Sequence, residues 1–377
     1  MNPERKIRIG ITGQPGFIGT HLYNYFGTKM AEVIRIPCED EFFDDAGRLR
    51  DFVSQCDTII HLAALNRHHD PQVIYDTNIR LVEKLITAME DTKSTPHVFF
   101  ASSTQEEREN MFGLSKREGR RKLSQWAAKN GALFTGLIIP NVYGSFGSPY
   151  YNSVVATFCH QVTHDEQPVI EIDANLKLIY IQELVAIIWK TIVEKRADDG
   201  YKIPHSIEKK VSEIYALIKA YATQYLQQGI IPEASDDFEY NLFNSFMNYN
   251  AVQTFYPVKY GQNKDNRGRF VELMKTVRGG QVSFSTTKPG ITRGNHYHTR
   301  KIERFAVIKG KATIRLRRIG TDKIMQFDLD GNEPAYVDIP IWHTHNISNR
   351  GDDELYTVFW INEFYNAEDP DTYYLEV

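Results

Sequence analysis

The chain has 377 residues, which is too many for one compact core and predicts two domains. Its formal net charge of -4 at pH 7 gives no reason to expect a nucleic-acid or anionic-membrane partner. Three widely spaced cysteines exclude a disulfide framework, no apolar run is long enough for a membrane span, and the first residues lack the apolar core of a signal peptide, so a cytoplasmic protein is expected.

The first half of the chain alternates short apolar strands with helical patterns. Strands are predicted at Ile7–Ile11, Val33–Ile36, Thr58–Ala63 and Val98–Ala101, and helices at Thr20–Phe26, Asn78–Met89 and Ile207–Leu226. Strands separated by helices indicate a Rossmann-like, doubly wound parallel sheet with helices on both faces. We therefore predict an α/β domain in residues 1–250.

A glycine-rich turn follows the first strand and opens the first helix. Gly13, Gly16 and Gly19 would let the backbone approach a pyrophosphate whose charge sits at the helix N-terminus. With Phe17 and Ile18, these glycines form the predicted turn that binds a dinucleotide cofactor.

The order of several landmarks resembles the extended short-chain dehydrogenase/reductase family. The turn ITGxxGFIG is followed by Asp57, by the motif HLAA at residues 61–64, by Asn78, by Ser103 and by NVYG at residues 141–144. The resemblance implies that Asp57 and Ala63 complete the cofactor site and that Lys116 contacts the nicotinamide ribose.

The resemblance breaks down at the residue that would exchange the proton. In the family a tyrosine does so, and a lysine four residues later lowers the pKa of its phenol. Lys116 matches that lysine and Ser103 the hydroxyl that holds the substrate oxygen, but Phe112 occupies the tyrosine position. Loss of a general acid costs about two to four orders of magnitude in rate. Reduction therefore depends on water, Ser103 or a residue that the sequence does not identify.

The choice between NAD(H) and NADP(H) stays open. Glu39–Glu41 follows the second strand, and a carboxylate there usually bonds the adenosine ribose and repels a 2′-phosphate. This slightly favours NAD(H).

From about Phe255 onward, short aromatic and β-branched runs replace the helical patterns. Strands are predicted at Gln281–Ser285, Phe305–Ile308, Ala312–Leu316, Ala335–Ile339 and Thr357–Ile361. This pattern is typical of an antiparallel barrel or sandwich. We place the domain boundary near Asn250 and predict an all-β domain in residues 251–377.

This second half contains a metal-binding pattern. His296 and His298 are two residues apart in a strand, so their rings face one side, and Glu303 can reach the same point. His345 lies in another strand-like run. Three imidazoles and one carboxylate suit a divalent transition metal such as zinc, and a surface cluster of histidines is the alternative.

The spacing of these residues resembles the cupin family. Gly290 and Gly310 complete its first motif around His-x-His and the glutamate. His345 and Asn349 match its second motif, in which Trp342 replaces the usual glycine. The resemblance implies a jelly-roll barrel that holds a ligand between two antiparallel sheets.

A reductase-like half joined to a cupin resembles the two-domain enzymes of bacterial capsular polysaccharide synthesis. The similar stretches are Tyr151–Cys159, Gly279–Ser283, Lys288–Thr292, Gly294–His296 and Asp371–Val377. The resemblance implies a homodimer whose zinc-containing cupin epimerises carbon 3 of a UDP-linked 2-acetamido-2,6-dideoxy-4-hexulose. It also implies that the other domain reduces carbon 4 with NADPH.

A second resemblance supports epimerisation. The motif RGxHY at residues 293–297 is similar to one in the dTDP-4-dehydrorhamnose 3,5-epimerase family, whose histidine is the base. Because the corresponding His296 would bind metal here, His343 and Tyr297 are the candidate bases. Arg267 and Lys288 could meet the UDP diphosphate, with ordinary surface charge as the alternative.

Three functions stay open at this point. The first is an epimerase with a reductase half, and the second is an epimerase whose other half only binds nucleotide or supports the fold. The third is a non-catalytic sensor of sugars or nucleotides. Phe112 favours the second over the first, and the complete ligand set argues against the third.

Overall fold

A computed structural model describes residues 5–250, 255–260, 262–265, 268–271, 274–276, 280–363 and 366–377. Arg267 lies outside the described residues, so its predicted contact with a diphosphate stays a prediction. None of the helices in these ranges is long and apolar enough to cross a membrane.

Strands and helices alternate through most of the first 210 residues, except that β5 is followed directly by β6 and β8 by β9. The strands are β1 (Ile7–Thr12), β2 (Val33–Ile36), β3 (Thr58–His61), β4 (His97–Ser103), β5 (Phe134–Ile139), β6 (Asn141–Tyr143), β7 (Asn175–Tyr180), β8 (Asp198–Lys202) and β9 (Ile207–Lys210). The helices are α1 (Phe17–Thr28), α2 (Ala46–Gln55), α3 (Pro71–Thr92), α4 (Met111–Asn130), α5 (Val154–Thr163) and α6 (Ile181–Val193).

Strands dominate the remainder of the chain. Two helices, α7 (Val211–Tyr221) and α8 (Asp237–Met247), flank the π-helical segment Ala222–Gln227. The strands are β10 (Ile230–Ile231), β11 (Val258–Lys259), β12 (Gln262–Asp265), β13 (Gly268–Val271), β14 (Lys275–Thr276), β15 (Gln281–Thr287), β16 (Thr292–Tyr297), β17 (Glu303–Lys309), β18 (Lys311–Arg318), β19 (Ile324–Asp330), β20 (Ala335–Ile339), β21 (His343–Asn349), β22 (Leu355–Ile361) and β23 (Tyr373–Tyr374).

The chain divides into two compact units. The first contains Met1–Val154 and Ala174–Lys210, and the second contains Val155–Asp173 and Val211–Val377. Helices α5, α7 and α8 therefore group with the strand-rich unit.

In the described part of the first unit, a six-stranded parallel sheet has the order β2-β1-β3-β4-β5-β8. Helix α1 contacts α6, while α3 contacts both α2 and α4. The second helix group covers a core that includes Phe52, Ile59, Leu85, Val98 and Leu123. The four strands predicted from the sequence are confirmed, and so is the Rossmann-like parallel sheet.

The predicted helix Ile207–Leu226 was placed too early in the sequence. Residues Ile207–Lys210 form β9, which pairs antiparallel with β7, and the helix starts only at Val211. The burial of these four residues alternates along the strand, as expected for one at the edge of a sheet. Pairing with β7 satisfies backbone groups that a helix would have bonded internally.

Among the described residues, two five-stranded antiparallel sheets dominate the second unit. Their orders are β11-β20-β17-β22-β15 and β19-β18-β21-β16-β23. Side chains from both sheets share one core, which includes Ile314, Leu316 and Phe327 from one and Val337 and Ile339 from the other. The five predicted strands are confirmed, and the sheets are consistent with a barrel, although the observed pairing does not close them into one.

Candidate nucleotide cleft and metal centre

A cleft of about 580 Å³ lies at the carboxyl ends of β1, β3 and β4 in the first unit. The strand order reverses between β1 and β3, and open α/β sheets bind ligands at such a point. The predicted turn residues all line this cleft: Gly13, Gly16, Phe17, Ile18 and Gly19.

The glycine turn is shaped for close backbone contact. Gly13 has φ +70°, and a Cβ there would lie 2.7 Å from the backbone nitrogen of Ala63, which also lines the cleft. A Cβ on Gly19 would lie 2.5 Å from the carbonyl oxygen of Gly13. Helix α1 starts immediately after the turn at Phe17, so its N-terminus faces the cleft. An anionic group is stabilised in this position.

Asp57 was predicted to bind the cofactor, and the geometry corrects that prediction. It precedes β3 and therefore lies at the amino end of the sheet, opposite the cleft. Its carboxylate accepts hydrogen bonds from the Arg8 guanidinium at 2.8 and 3.1 Å and from that of Arg5 at 3.1 Å. The Arg8 hydrogen bond holds the pKa of Asp57 below its usual value. Asp57 therefore ties β3 to β1.

A different acidic residue reaches the cleft. Asp40, in the short helical turn after β2, lines it together with Phe43. Its neighbour Glu39 instead lies 3.7 Å from Arg48. The sequence indicated an acidic stretch here but did not identify which carboxylate faces the ligand.

Lys116, Phe112 and Ser103 all line the cleft. The Lys116 ammonium donates to the carbonyl oxygen of Ala101 at 2.9 Å and lies 5.6 Å from the centre of the Phe112 ring. Burial lowers the pKa of Lys116 to about 8. The Ser103 hydroxyl accepts a hydrogen bond from the backbone of Gln105 at 3.2 Å.

The four predicted metal ligands come together in the second unit. One nitrogen from each of His296, His298 and His345 and one oxygen of Glu303 all lie within 4.8 Å of one another. The Glu303 oxygen is 2.9 Å from Nε2 of His345 and 3.2 Å from Nε2 of His298. His296 is half-buried and the other three are buried. A buried set of three imidazoles and one carboxylate fits a divalent transition metal.

Local strand geometry produces this convergence. The register of β16 against β21 shifts between Gly294 and His296, and this bulge sets His296 opposite His345. Glu303 reaches the cluster from β17, in the other sheet. The ligands therefore lie between the two sheets.

The electrostatics of the cluster follow from its burial. Burial, together with His345 and His298, lowers the pKa of His296 to about 4. Burial opposes ionisation of both Glu303 and His298, but the 3.2 Å ion-pair contact between them prevails. It holds the pKa of Glu303 well below its usual value and raises that of His298.

The two candidate bases differ in position. His343 shares one face of β21 with His345, is buried, and has Nδ1 3.0 Å from the carbonyl oxygen of Ile341. Burial lowers its pKa to about 4. Tyr297 lies on the opposite face of β16 from His296, where its ring stacks on Trp342 and Tyr373. The prediction of Tyr297 as a base is therefore corrected.

A residue that the sequence did not identify supports the cluster. Nδ1 of His298 lies 2.5 Å from the carbonyl oxygen of Asp371, 73 positions further along the chain. No local spacing motif could have revealed this contact, because Asp371 reaches the site only through the fold of the C-terminal segment.

Comparisons with known proteins match each half of the chain to a protein family. Residues 9–204 match the NAD dependent epimerase/dehydratase family, and residues 263–373 match the polysaccharide biosynthesis C-terminal domain. A UDP-glucose 4-epimerase from Thermotoga maritima shares the fold, with a TM-score of 0.54 at 18% identity over 64% of this chain and 98% of that one. The class defined by fold and cleft is thus that of the NAD dependent epimerases and dehydratases.

Two relatives extend over nearly the whole chain. The UDP-2-acetamido-2,6-beta-L-arabino-hexul-4-ose reductase of Pseudomonas aeruginosa is 31% identical over 97% of this chain and 98% of its own length. The capsular polysaccharide assembling protein CapF from Staphylococcus aureus is 30% identical, with a TM-score of 0.62 over 98% of this chain and 100% of that one. The chain belongs to the NAD dependent epimerase/dehydratase family and, over its full length, to the two-domain family that includes CapF.

Proposed function

We propose that the chain is a nucleotide-sugar enzyme of surface polysaccharide synthesis that acts on a UDP-linked 4-keto-6-deoxy amino sugar. Residues 251–377 epimerise carbon 3 of a UDP-2-acetamido-2,6-dideoxy-4-hexulose, and residues 1–250 reduce its 4-keto group with NAD(P)H. The observation that carries the proposal is the buried cluster of four ligands, in a chain that also has a nucleotide cleft. The name of the Pseudomonas relative, a reductase of a UDP-linked hexul-4-ose, supports the substrate class.

Zinc is the proposed occupant of the cluster of His296, His298, Glu303 and His345. The mixture of imidazole and carboxylate donors and their burial support this choice. When bound, zinc supplies a Lewis acid that stabilises negative charge on a keto oxygen. A structural metal is the alternative. We also assign the two sheets to a cupin jelly roll, on the basis of the same ligand motif.

His343 is the proposed base for epimerisation. The 4-keto group acidifies the hydrogen on carbon 3, so a neutral imidazole can remove it and a proton can return on the other face. If Nδ1 of His343 donates to the carbonyl oxygen of Ile341, Nε2 keeps a lone pair that can accept this proton. Its position on the face of β21 that carries His345 supports the assignment.

The reductase half is proposed to bind its cofactor at the glycine turn, with Ser103 holding the keto oxygen. When bound, the nicotinamide supplies the hydride. Phe112 cannot donate the proton that the new alkoxide requires. Lys116 carries an exchangeable proton on the cleft wall beside it, and we assign the proton to its ammonium group. An epimerase without reductase activity is the second candidate, which Phe112 favours. A homodimer and a cytoplasmic location stay predictions.

Two measurements on one sample test the proposal. The protein is incubated with the UDP-4-keto sugar in heavy water, and deuterium at carbon 3 is followed by NMR. NADPH or NADH is then added, and absorbance of the reduced nicotinamide is recorded. Deuterium incorporation with cofactor consumption supports both activities. Incorporation alone supports the epimerase without a reductase, and the absence of both leaves the non-catalytic sensor.

A further inference from the structure

We propose that the segment Asp371–Glu376, called the latch below, stabilises the metal centre, and that Asp371 is the positioning residue for the ligand His298. The inference rests on the proposed function, because it concerns the metal assigned to this cluster. It adds a group to the site that neither the ligand motif nor the comparisons identify.

The carboxylate of Asp371 holds the turn that connects two ligands. It accepts hydrogen bonds from the backbone nitrogens of Thr299, Arg300 and Lys301, at distances from 3.0 to 3.2 Å, and from the Thr299 hydroxyl at 2.6 Å. This turn follows His298 and leads to Glu303. Asp371 is only 2% exposed, so loss of its carboxylate would leave several donors without a hydrogen-bond acceptor and out of reach of water.

The backbone of the same residue orients the imidazole. The carbonyl oxygen of Asp371 lies 2.5 Å from Nδ1 of His298 and can only accept, so Nδ1 carries the hydrogen. In the neutral ring that binds a metal, the lone pair then resides on Nε2, which is the atom 3.2 Å from Glu303. Partners of this kind fix the tautomer and ring direction of metal-binding histidines. Asp371 therefore holds both the ring and the turn behind it.

The rest of the segment binds the strand that carries another ligand. Strand β23 pairs with β16 at His296 and Tyr297, and the backbone nitrogen of Leu375 donates to the carbonyl oxygen of Asn295 at 2.9 Å. The hydroxyl of Thr344, next to His345, donates to the carbonyl oxygen of Leu375. The segment thus contacts the immediate neighbourhood of all three histidine ligands.

The test compares Asp371→Asn with Asp369→Asn in the full-length protein. Asp369 is exposed, lies just before the latch and pairs with the side chain of Arg300 at the surface, so its variant removes the same charge nearby while leaving the backbone bonds of the turn and the ligands untouched. Zinc affinity is measured by competition with a chelating dye, beginning from metal-free protein. We expect zinc affinity to fall about 10- to 100-fold in Asp371→Asn and less than about threefold in Asp369→Asn.

A separate measurement distinguishes a segment that is coupled to metal binding from one that only supports the fold. Because coupling is reciprocal, zinc should slow the removal of the last residues by a carboxypeptidase in the parent protein, and much less in Asp371→Asn.

If Asp371→Asn does not fold without metal, Thr299→Val removes one hydrogen bond to Asp371 and should still weaken zinc binding at least about threefold. Folding of each variant is checked by near-ultraviolet circular dichroism.

Failure of the latch and failure of the proposed function give different results. The latch is overturned if a folded Asp371→Asn binds zinc within twofold of the parent. Where Asp371→Asn does not fold, the same result with a folded Thr299→Val overturns it. That result leaves the zinc-dependent epimerase intact. A parent that binds zinc but incorporates no deuterium at carbon 3 overturns the epimerase, while weaker zinc binding by Asp371→Asn still supports the latch. A parent that binds no zinc overturns both.

Discussion

The ammonium nitrogen of Lys116 lies 5.6 Å from the centre of the Phe112 ring, on the wall of the nucleotide cleft. A hydroxyl on that ring would provide the proton that the proposed reduction needs, and Lys116 would lower the pKa of the phenol. We therefore expect Phe112→Tyr to raise the rate of reduction by about 100-fold or more. The measurement is consumption of NADPH or NADH with the UDP-4-keto sugar. Phe112→Leu is the matched control and should stay near the parent rate, and a Phe112→Tyr variant no faster than Phe112→Leu would contradict the prediction.

Burial of Lys116 also predicts a pH dependence of stability. Its pKa falls from 10.5 to about 8 in the folded protein. Between these values the unfolded chain binds more protons than the native one, so the free energy of unfolding rises with pH across this window. The cost of burying the charge is fully present below pH 8 and is on the order of 3 kcal/mol. Urea denaturation of the parent and of Lys116→Met should give free energies that converge as the pH rises through the window, and a constant difference would contradict the prediction.

The opposite positions of Asp40 and Asp57 predict opposite phenotypes. Asp40 lines the cleft, so we expect Asp40→Asn to weaken NADH about tenfold, or about 1.4 kcal/mol, and to shift preference toward NADPH. Asp57 is about one-third exposed and pairs with Arg8 at the far end of the sheet, so Asp57→Asn should cost about 1 kcal/mol of stability or less. Its cofactor affinity should not change. Titration of cofactor, followed by intrinsic fluorescence, checks both variants. A weaker cofactor affinity in Asp57→Asn would mean that Asp57 does contribute to the cofactor site.

Strand positions were predictable because local patterns encode them, whereas long-range contacts were not. The glycine-turn residues line one cleft and the four proposed ligands lie in one cluster, as their motifs predicted. Tyr297 was misassigned because adjacent residues in a strand face opposite sides, and the motif alone did not show which side bears the ligands. Ile207–Lys210 was misassigned because pairing with β7 outweighs local helical preference. Asp371 could not be found at all, because its role depends on contacts some 70 residues distant in sequence.

Alternation along β17 gives two neighbouring residues separate roles. Glu303 faces the metal cluster, so Glu303→Gln removes the anionic ligand while keeping the shape of the side chain. We expect zinc affinity to fall at least about 100-fold, because even partners outside the coordination shell contribute 10- to 100-fold. Elemental analysis after dialysis against trace zinc measures the loss. Retention of stoichiometric zinc by Glu303→Gln would remove the carboxylate from the ligand set.

Arg304 faces the other side of the same strand and is a matched contrast to Glu303. Its guanidinium binds Asp338 through two hydrogen bonds of 2.7 and 2.9 Å, and both residues are buried. Asp338→Asn leaves the charge of Arg304 buried without a counterion, so we expect the free energy of unfolding to fall by about 3–5 kcal/mol. The ligands themselves are untouched, so zinc affinity per folded molecule should remain within about threefold of the parent value. Urea denaturation of the metal-free protein and dye competition at low temperature measure the two quantities separately. A fall in zinc affinity as large as that of Glu303→Gln would mean that the ion pair, like the carboxylate beside it, belongs to the metal centre.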